Sequence, residues 1–224
     1  MQYPHSEQLY QQYLEHLTTG ESFFTDLQKL LELQLLYNAA IKEMQTKLEV
    51  LNDEFKVKFD RNPIHHVESR LKSVQSIIKK LAKKNVEISV ESARANLNDI
   101  AGIRVVCCYI DDVYRVADML LAQTDIELVK CQDYIKEPNF NGYRSLHLDL
   151  RIPIFLSSTT EYVTIEVQLR TVAMDFWASL EHDLRYKTDK AIPTHISEDM
   201  LRCANEIAVI DAKMQAIYQD IQRL

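Results

Sequence analysis

Val163-Thr164-Ile165-Glu166-Val167-Gln168-Leu169-Arg170-Thr171 alternates strictly between apolar and polar side chains. Ile165, Val167 and Leu169 face one way, and Thr164, Glu166, Gln168 and Arg170 the other, which is the period-two signature of a strand. Strands inside an α/β sheet are ordinarily covered on both faces, so a polar row of this length needs partners. Either the row faces solvent from the edge of a sheet, or it lines a cleft. In the second case Glu166 is a metal ligand or general base, and Gln168 orients a substrate.

Outward from this stretch, Tyr162–Leu169, Arg144–Ile152, Ile126–Lys130 and Ile103–Tyr109 read as strands. Asp111 is placed to cap a helix running to about Ala122. Thr171 to about Lys187 returns to helix, and Ser197–Arg223 forms another. Upstream, Glu21–Phe59 contains no Gly or Pro and repeats apolar residues near helical spacing, so the first sixty residues read as helical. Asn62-Pro63 resembles a helix start, with Asn62 as N-cap, and predicts a helix to about Lys84. Its apolar stripe is Val67, Leu71, Val74, Ile77, Ile78 and Leu81, with Arg70 inside the stripe, Lys80 on its flank and Lys72 opposite. The fold class is therefore mixed α/β: one domain over residues 61–190, a helical extension over 1–60 and a C-terminal helix within 191–224.

Composition narrows the function. The only glycines in the sequence are Gly20, Gly102 and Gly142, which cannot assemble GxGxxG or GxxxxGK[ST]. Any bound phosphates must then be held largely by Arg, Lys and a metal. The chain carries a net charge of −7, yet Lys56–Lys84 holds nine basic residues against Asp60 and Glu68. A local basic patch on an acidic protein suits a small anionic ligand better than a long nucleic-acid track. Cys107, Cys108, Cys131 and Cys203 form no CxxC pair, which points to a reduced, cytoplasmic protein. No apolar run approaches the roughly 20 residues of a membrane span, and the first residues lack a signal-peptide pattern.

Three further segments carry chemistry. Asp99-Ile100-Ala101-Gly102-Ile103-Arg104 sets a carboxylate at the mouth of a strand. It can hold Mg²⁺, which takes one or two protein carboxylates plus phosphate oxygens, or simply cap a turn while Arg104 forms a salt bridge. In Asn141–His147, Gly142 permits a tight turn or a close ligand approach, and Tyr143 presents a ring for stacking. The His182-Asp183 dipeptide lacks the further His and Asp ligands of a metal-dependent phosphohydrolase.

Six segments in order, namely Asn62–Lys72, Asp99–Arg104, Asp133-Tyr134-Ile135, Asn141–His147, Glu166–Thr171 and Met174–His182, together closely resemble the synthetase domain of the RelA/SpoT family. Within it they are most similar to the small alarmone synthetases, especially the RelP/YwaC branch. The resemblance implies a nucleotidyltransferase-like central sheet flanked by helices. It also implies transfer of the β,γ-pyrophosphate of ATP to the 3′-hydroxyl of GDP or GTP, releasing AMP, in the bacterial stringent response and without hydrolase activity. On this resemblance Arg70 and Arg104 sandwich adenine, and Lys72 and Lys80 hold the ATP phosphates. Asp99 and Glu166 bind Mg²⁺, and Glu166 activates the 3′-hydroxyl. Tyr143 is the guanine platform, with His147, Gln168, Asp175 and His182 as supporting contacts. A lysine common in the family's acceptor loop is absent here, where Pro138-Asn139-Phe140-Asn141 stands, leaving Lys136 to replace it. A cytoplasmic homotetramer built through the terminal helices is also implied, with no membrane and no obligate nucleic-acid partner.

Overall fold

A central strand with one apolar and one polar face suits a sheet packed under helices on its apolar side and only partly covered on its polar side. The computed structural model of the chain has that layout. It describes residues 21–186 and 192–224, so the helix expected over residues 1–20 and the helix end expected at Lys187 lie outside the described residues. The elements are α1 (Glu21–Phe59), β1 (Ile64–Leu71), α2 (Val74–Lys83), α3 (Val90–Asn96), β2 (Ala101–Cys107) and α4 (Ile110–Leu121). They continue with β3 (Glu127–Asp133), β4 (Leu146–Phe155), β5 (Thr160–Thr171), α5 (Val172–Tyr186) and α6 (Thr194–Ile221). The fold is mixed α/β, with five strands in the order β1-β2-β5-β4-β3. Only β2 and β5 run parallel; the other neighbours are antiparallel.

β5 is the middle strand, which overturns the edge-strand reading of its polar row. Its apolar side, with Ile165, Val167 and Leu169, joins Ile103 and Val105 of β2 and Leu148 and Leu150 of β4 in one buried cluster. Met44 and Leu48 of α1 and Val113 and Leu120 of α4 close that cluster from above. Burying side chains of this size contributes about 1.5–3 kcal/mol each.

Two local expectations are corrected. The helix expected from Asn62 to Lys84 is instead a strand followed by a shorter helix. Ile64–Leu71 pairs antiparallel with Cys107–Ala101, and the helix starts only at Val74, where Ser73 Oγ accepts from the Ser76 N–H at 3.3 Å. Pairing with a segment 30 to 43 residues away outweighed the local spacing, as non-local hydrogen bonding routinely does for edge strands. Arg70 therefore sits on a strand, and Lys72 just beyond its end. Asp111 is not the N-cap of α4: Tyr109 holds that position without a side-chain cap, while Asp111 Oδ2 accepts from Gln215 and Gln219 of α6. The short α3, capped by Ser89, was not anticipated.

Arg61 ties the chain together between α1 and β1. Its guanidinium pairs bidentately with Asp112, at 2.9 and 2.5 Å, and lies 5.1 Å from the Phe55 ring and 4.7 Å from the Tyr218 ring. Asp112 is fully buried. Removing one partner of such a pair strands the other charge, at a cost of about 3–5 kcal/mol. Arg61→Met should lose about that much in urea denaturation, and Arg61→Met with Asp112→Leu should recover much of it.

Candidate active site

The register of the sheet assembles the polar face. Arg70 of β1 is opposite Gly102 of β2, which is opposite Glu166 of β5, which is opposite Asp149 of β4. One step along, Glu68, Arg104, Gln168 and His147 form a second row on the same face. The floor thus mixes guanidinium and carboxylate groups with an amide and an imidazole, and a glycine stands between Arg70 and Glu166. Above it opens a cleft of about 740 Å³ lined by Glu68, Arg70, Lys72, Asp99, Gly102, Arg104, Glu166 and Gln168, among others.

At the cleft mouth, between α3 and β2, Asp99 Oδ2 accepts from Lys72 Nζ at 2.5 Å and from Lys80 Nζ at 2.6 Å. Two lysines that the helical wheel set on different sides are brought together because β1 ends at Leu71: the Lys72 N–H then bonds the Ile100 carbonyl, next to Asp99, and Lys80 reaches the same carboxylate from α2. Burial pushes the Asp99 carboxyl up, but the two lysine hydrogen bonds and charges outweigh it and hold the group below its ordinary value. A carboxyl depressed in the folded state contributes stability above its unfolded value of 3.8, and that stability is lost as pH falls through the lower folded value. Lys72→Met removes one of the opposing contacts, so its stability should fall less steeply below that pH than that of the parent, in metal-free urea melts stepped through the acid range.

Glu166 lies deeper. Gln168 Nε2 donates to its Oε2 at 2.7 Å, and His147 Nδ1 is 3.6 Å from Oε1. Burial pushes this carboxyl up, and the His147 and Gln168 contacts more than reverse that, so the net shift is downward. Gln168 thus steadies Glu166 before any substrate arrives.

On the far side of His147 stands Tyr143. Its hydroxyl is 2.9 Å from His147 Nε2, and burial pushes the phenol up. The loop reaches this place because Gly142 takes φ +89° and passes so close to α6 that a Cβ there would lie 2.5 Å from Ala204 Cβ. Arg144 fastens the same loop to the Ala204 carbonyl and Asn205.

Asp175, in the first turn of α5, sits between two guanidiniums: Arg170 Nη2 at 2.7 Å and Arg104 Nη1 at 3.7 Å. A carboxylate is favoured at a helix N-terminus. Arg170 is only 2% exposed, and its alignment leaves its Nε and Nη2, and Asp175 Oδ1, without a hydrogen-bond partner. Arg170 belonged to the alternating row from the outset, but nothing in the sequence distinguished it from a solvated arginine.

Arg70, Lys72, Lys80, Asp99, Arg104, Glu166 and Gln168 therefore meet in or at the cleft, with Tyr143, His147 and Asp175 beside it. Lys136 does not join them: it is 72% exposed, 3.4 Å from Asp133, with its ammonium 5.0 Å from the Tyr114 ring of α4. His182 lies two turns beyond Asp175 on α5, exposed and outside the cleft lining.

The donor set suits a hard divalent cation. Asp99 Oδ1 is buried without a hydrogen-bond partner, and Glu166 lines the same cleft. No group of three or more His, Cys, Asp or Glu suited to a metal occurs among the described residues. Two carboxylates completed by phosphate oxygens and water match what Mg²⁺ accepts.

Comparison with known proteins agrees with this layout. The family profile described as "Region found in RelA / SpoT proteins" matches residues 69–191. GTP pyrophosphokinase YwaC of Bacillus subtilis is 40% identical over 187 residues, covering 84% of this chain and 89% of that protein. The crystal structure of small alarmone synthetase 2 from Bacillus subtilis superposes with a TM-score of 0.76 at 39% identity, covering 83% of this chain and 97% of that one. Small alarmone synthetase 1 from the same organism, bound to its product pppGpp, gives a TM-score of 0.76 at 34% identity, covering 83% and 94%.

Proposed function

Because the chain belongs to the RelA/SpoT family, as a small alarmone synthetase, we propose that it transfers the β,γ-pyrophosphate of ATP to the 3′-hydroxyl of GDP or GTP. The 3′-oxygen forms a bond to the β-phosphorus, the bond from that phosphorus to the α,β-bridging oxygen breaks, and AMP leaves. The observation that carries this reading is the sheet register that puts Arg70, Gly102 and Glu166 in one row and Arg104 and Gln168 in the next, with Asp99 at the mouth.

In this reading the adenine base lies between Arg70 and Arg104. Lys72 and Lys80 pass from Asp99 to the phosphates, which leaves the Asp99 carboxylate to face the cation. Mg²⁺, held by Asp99, Glu166 and phosphate oxygens, supplies charge neutralisation on the transferring group. Glu166, steadied by Gln168 and His147, accepts the 3′-hydroxyl proton, while Tyr143 and Asp175 fix the guanine so that the hydroxyl is in line. Lys136 and His182 remain candidates for outer contacts to the acceptor, reached only if their loop and helix adjust.

Synthesis without hydrolysis, a cytoplasmic location and a role in the stringent response complete the proposal. Among the described residues no helix is long and apolar enough to cross a membrane. A homotetramer is supported by apolar side chains left exposed on α5 and α6, including Phe176, Leu180, Val209, Ile210 and Ile217. Light scattering should give four times the chain mass.

The test is incubation with ATP, Mg²⁺ and either GDP or GTP, with the nucleotides resolved by anion exchange. AMP in step with a more highly charged guanosine nucleotide is expected. Release of pyrophosphate instead, or no AMP with either acceptor despite nucleotide binding, overturns the reading.

A further inference from the structure

Four residues form the β1/β2 corner of the cleft floor, and the register fixes their places: Glu68 opposite Arg104, and Arg70 opposite Gly102. The two arginines therefore occupy one diagonal, and a carboxylate and an empty position the other. Diagonal neighbours in an antiparallel pair are about 7–8 Å apart. That is roughly twice the 3.5–4.0 Å separation of stacked carbon atoms, so side chains rising side by side from these two positions leave room for one planar ring between them. Such a ring lies over Gly102, where no side chain projects, and turns an edge toward Glu68.

Glu68 is only half engaged. Its Oε2 accepts from Arg104 Nη1 at 2.8 Å, while Oε1 is 3.8 Å from His66 Nε2, beyond hydrogen-bond range. An ionised carboxylate oxygen beside the ring is an acceptor with no proton to give. It favours a ring edge that carries N–H donors. Adenine carries such a donor in its exocyclic amine.

We infer that Glu68 is a specificity-determining residue for the donor nucleotide, reading the exocyclic amine of the base held between Arg70 and Arg104. The inference rests on the function proposed above. Arg104 keeps a second carboxylate, Asp175, at 3.7 Å, so loss of Glu68 does not leave it without an anionic neighbour.

The test compares ATP with purine riboside 5′-triphosphate, which differs from ATP only by lacking the amine, as donors to GDP in the full-length protein. The parent should prefer ATP in kcat/KM by about tenfold or more, the scale of one hydrogen bond to a charged group. Glu68→Leu should bring the two donors within about twofold of each other by abolishing that bond. Glu68→Gln, whose amide oxygen still accepts, should retain a preference. If Glu68 merely braces Arg104, Glu68→Leu lowers both donors by one common factor and leaves the preference intact, which overturns the inference. Equal use of both donors by the parent overturns it as well. Failure of the parent to release AMP from ATP overturns this inference and the proposed function together, whereas the first two outcomes leave the proposed function standing.

Discussion

Glu166→Gln should abolish synthesis while the protein stays folded and still binds both nucleotides. The substitution keeps the shape of the side chain and the oxygen that accepts from Gln168 Nε2 at 2.7 Å. It removes a half-buried carboxylate whose His147 and Gln168 contacts outweigh its burial, so a modest loss of stability is expected, and the uncharged, isosteric amide leaves no charge unpaired. What disappears is the negative charge that faces the cation and receives the acceptor proton. General-base assistance is worth about 10²–10⁴ in rate, so a fall in kcat of about 10³ or more is expected, with little change in KM for ATP. Single-turnover AMP release against calorimetric binding of ATP and GDP separates the two quantities. Retention of a tenth or more of the parent rate would remove Glu166 from the chemistry. The same contacts that depress its carboxyl keep Glu166 ionised through the neutral range, so loss of activity from its protonation should appear only below the ordinary value of 4.5.

What the sequence revealed and what it concealed divide along the reach of the interactions. The polar row of β5 was legible because alternation is a property of the strand itself, and its partners on β4 and β2 were legible as short β-rich runs. α1 was legible for the same local reason: thirty-nine residues without Gly or Pro kept one period. β1 was concealed because an edge strand on this sheet has one strand partner and buries little. Val67 and Leu71 are only partly buried, and they happen to continue the spacing of Val74, Ile77 and Leu81 beyond them. The error mattered for the site. As a helix, the segment sent Lys72 away from Lys80; as a strand and a turn, it delivers both to Asp99. Recognition of the motif residues survived the error, because which residues act and which backbone carries them are separate questions. Arg170 and Glu68 were concealed for a different reason. Their significance lies in what stands opposite, Asp175 and Arg104, and no spacing in the chain encodes it.

Gly102→Val should strengthen the fold and disable the donor site. Nothing in the structure demands a glycine here. The backbone is ordinary strand, φ is not positive, and a Cβ at this position would meet only the Arg70 carbonyl oxygen, at 3.9 Å. Glycine inside a strand is destabilising by about 0.5–1 kcal/mol relative to alanine, and a β-branched residue suits the pleated surface better still. Valine should thus raise the unfolding midpoint in urea. It also places two methyl groups on the floor between Arg70 and Glu166, in the space where a ring between Arg70 and Arg104 must lie. The KM for ATP should rise by about 10²-fold, as expected when overpacking and lost stacking each remove about 1–2 kcal/mol. KM for GDP should change little, because Tyr143 and Asp175 lie beyond the substituted position. Gly102→Ala, with one methyl group, should fall between the two. A valine variant that is destabilised would make the glycine a structural requirement after all. One that is stable and uses ATP normally would move the donor base off the β1/β2 corner. Stability gained together with donor binding lost has a single physical reading: the position is kept empty for a ligand, and the fold is weaker for it.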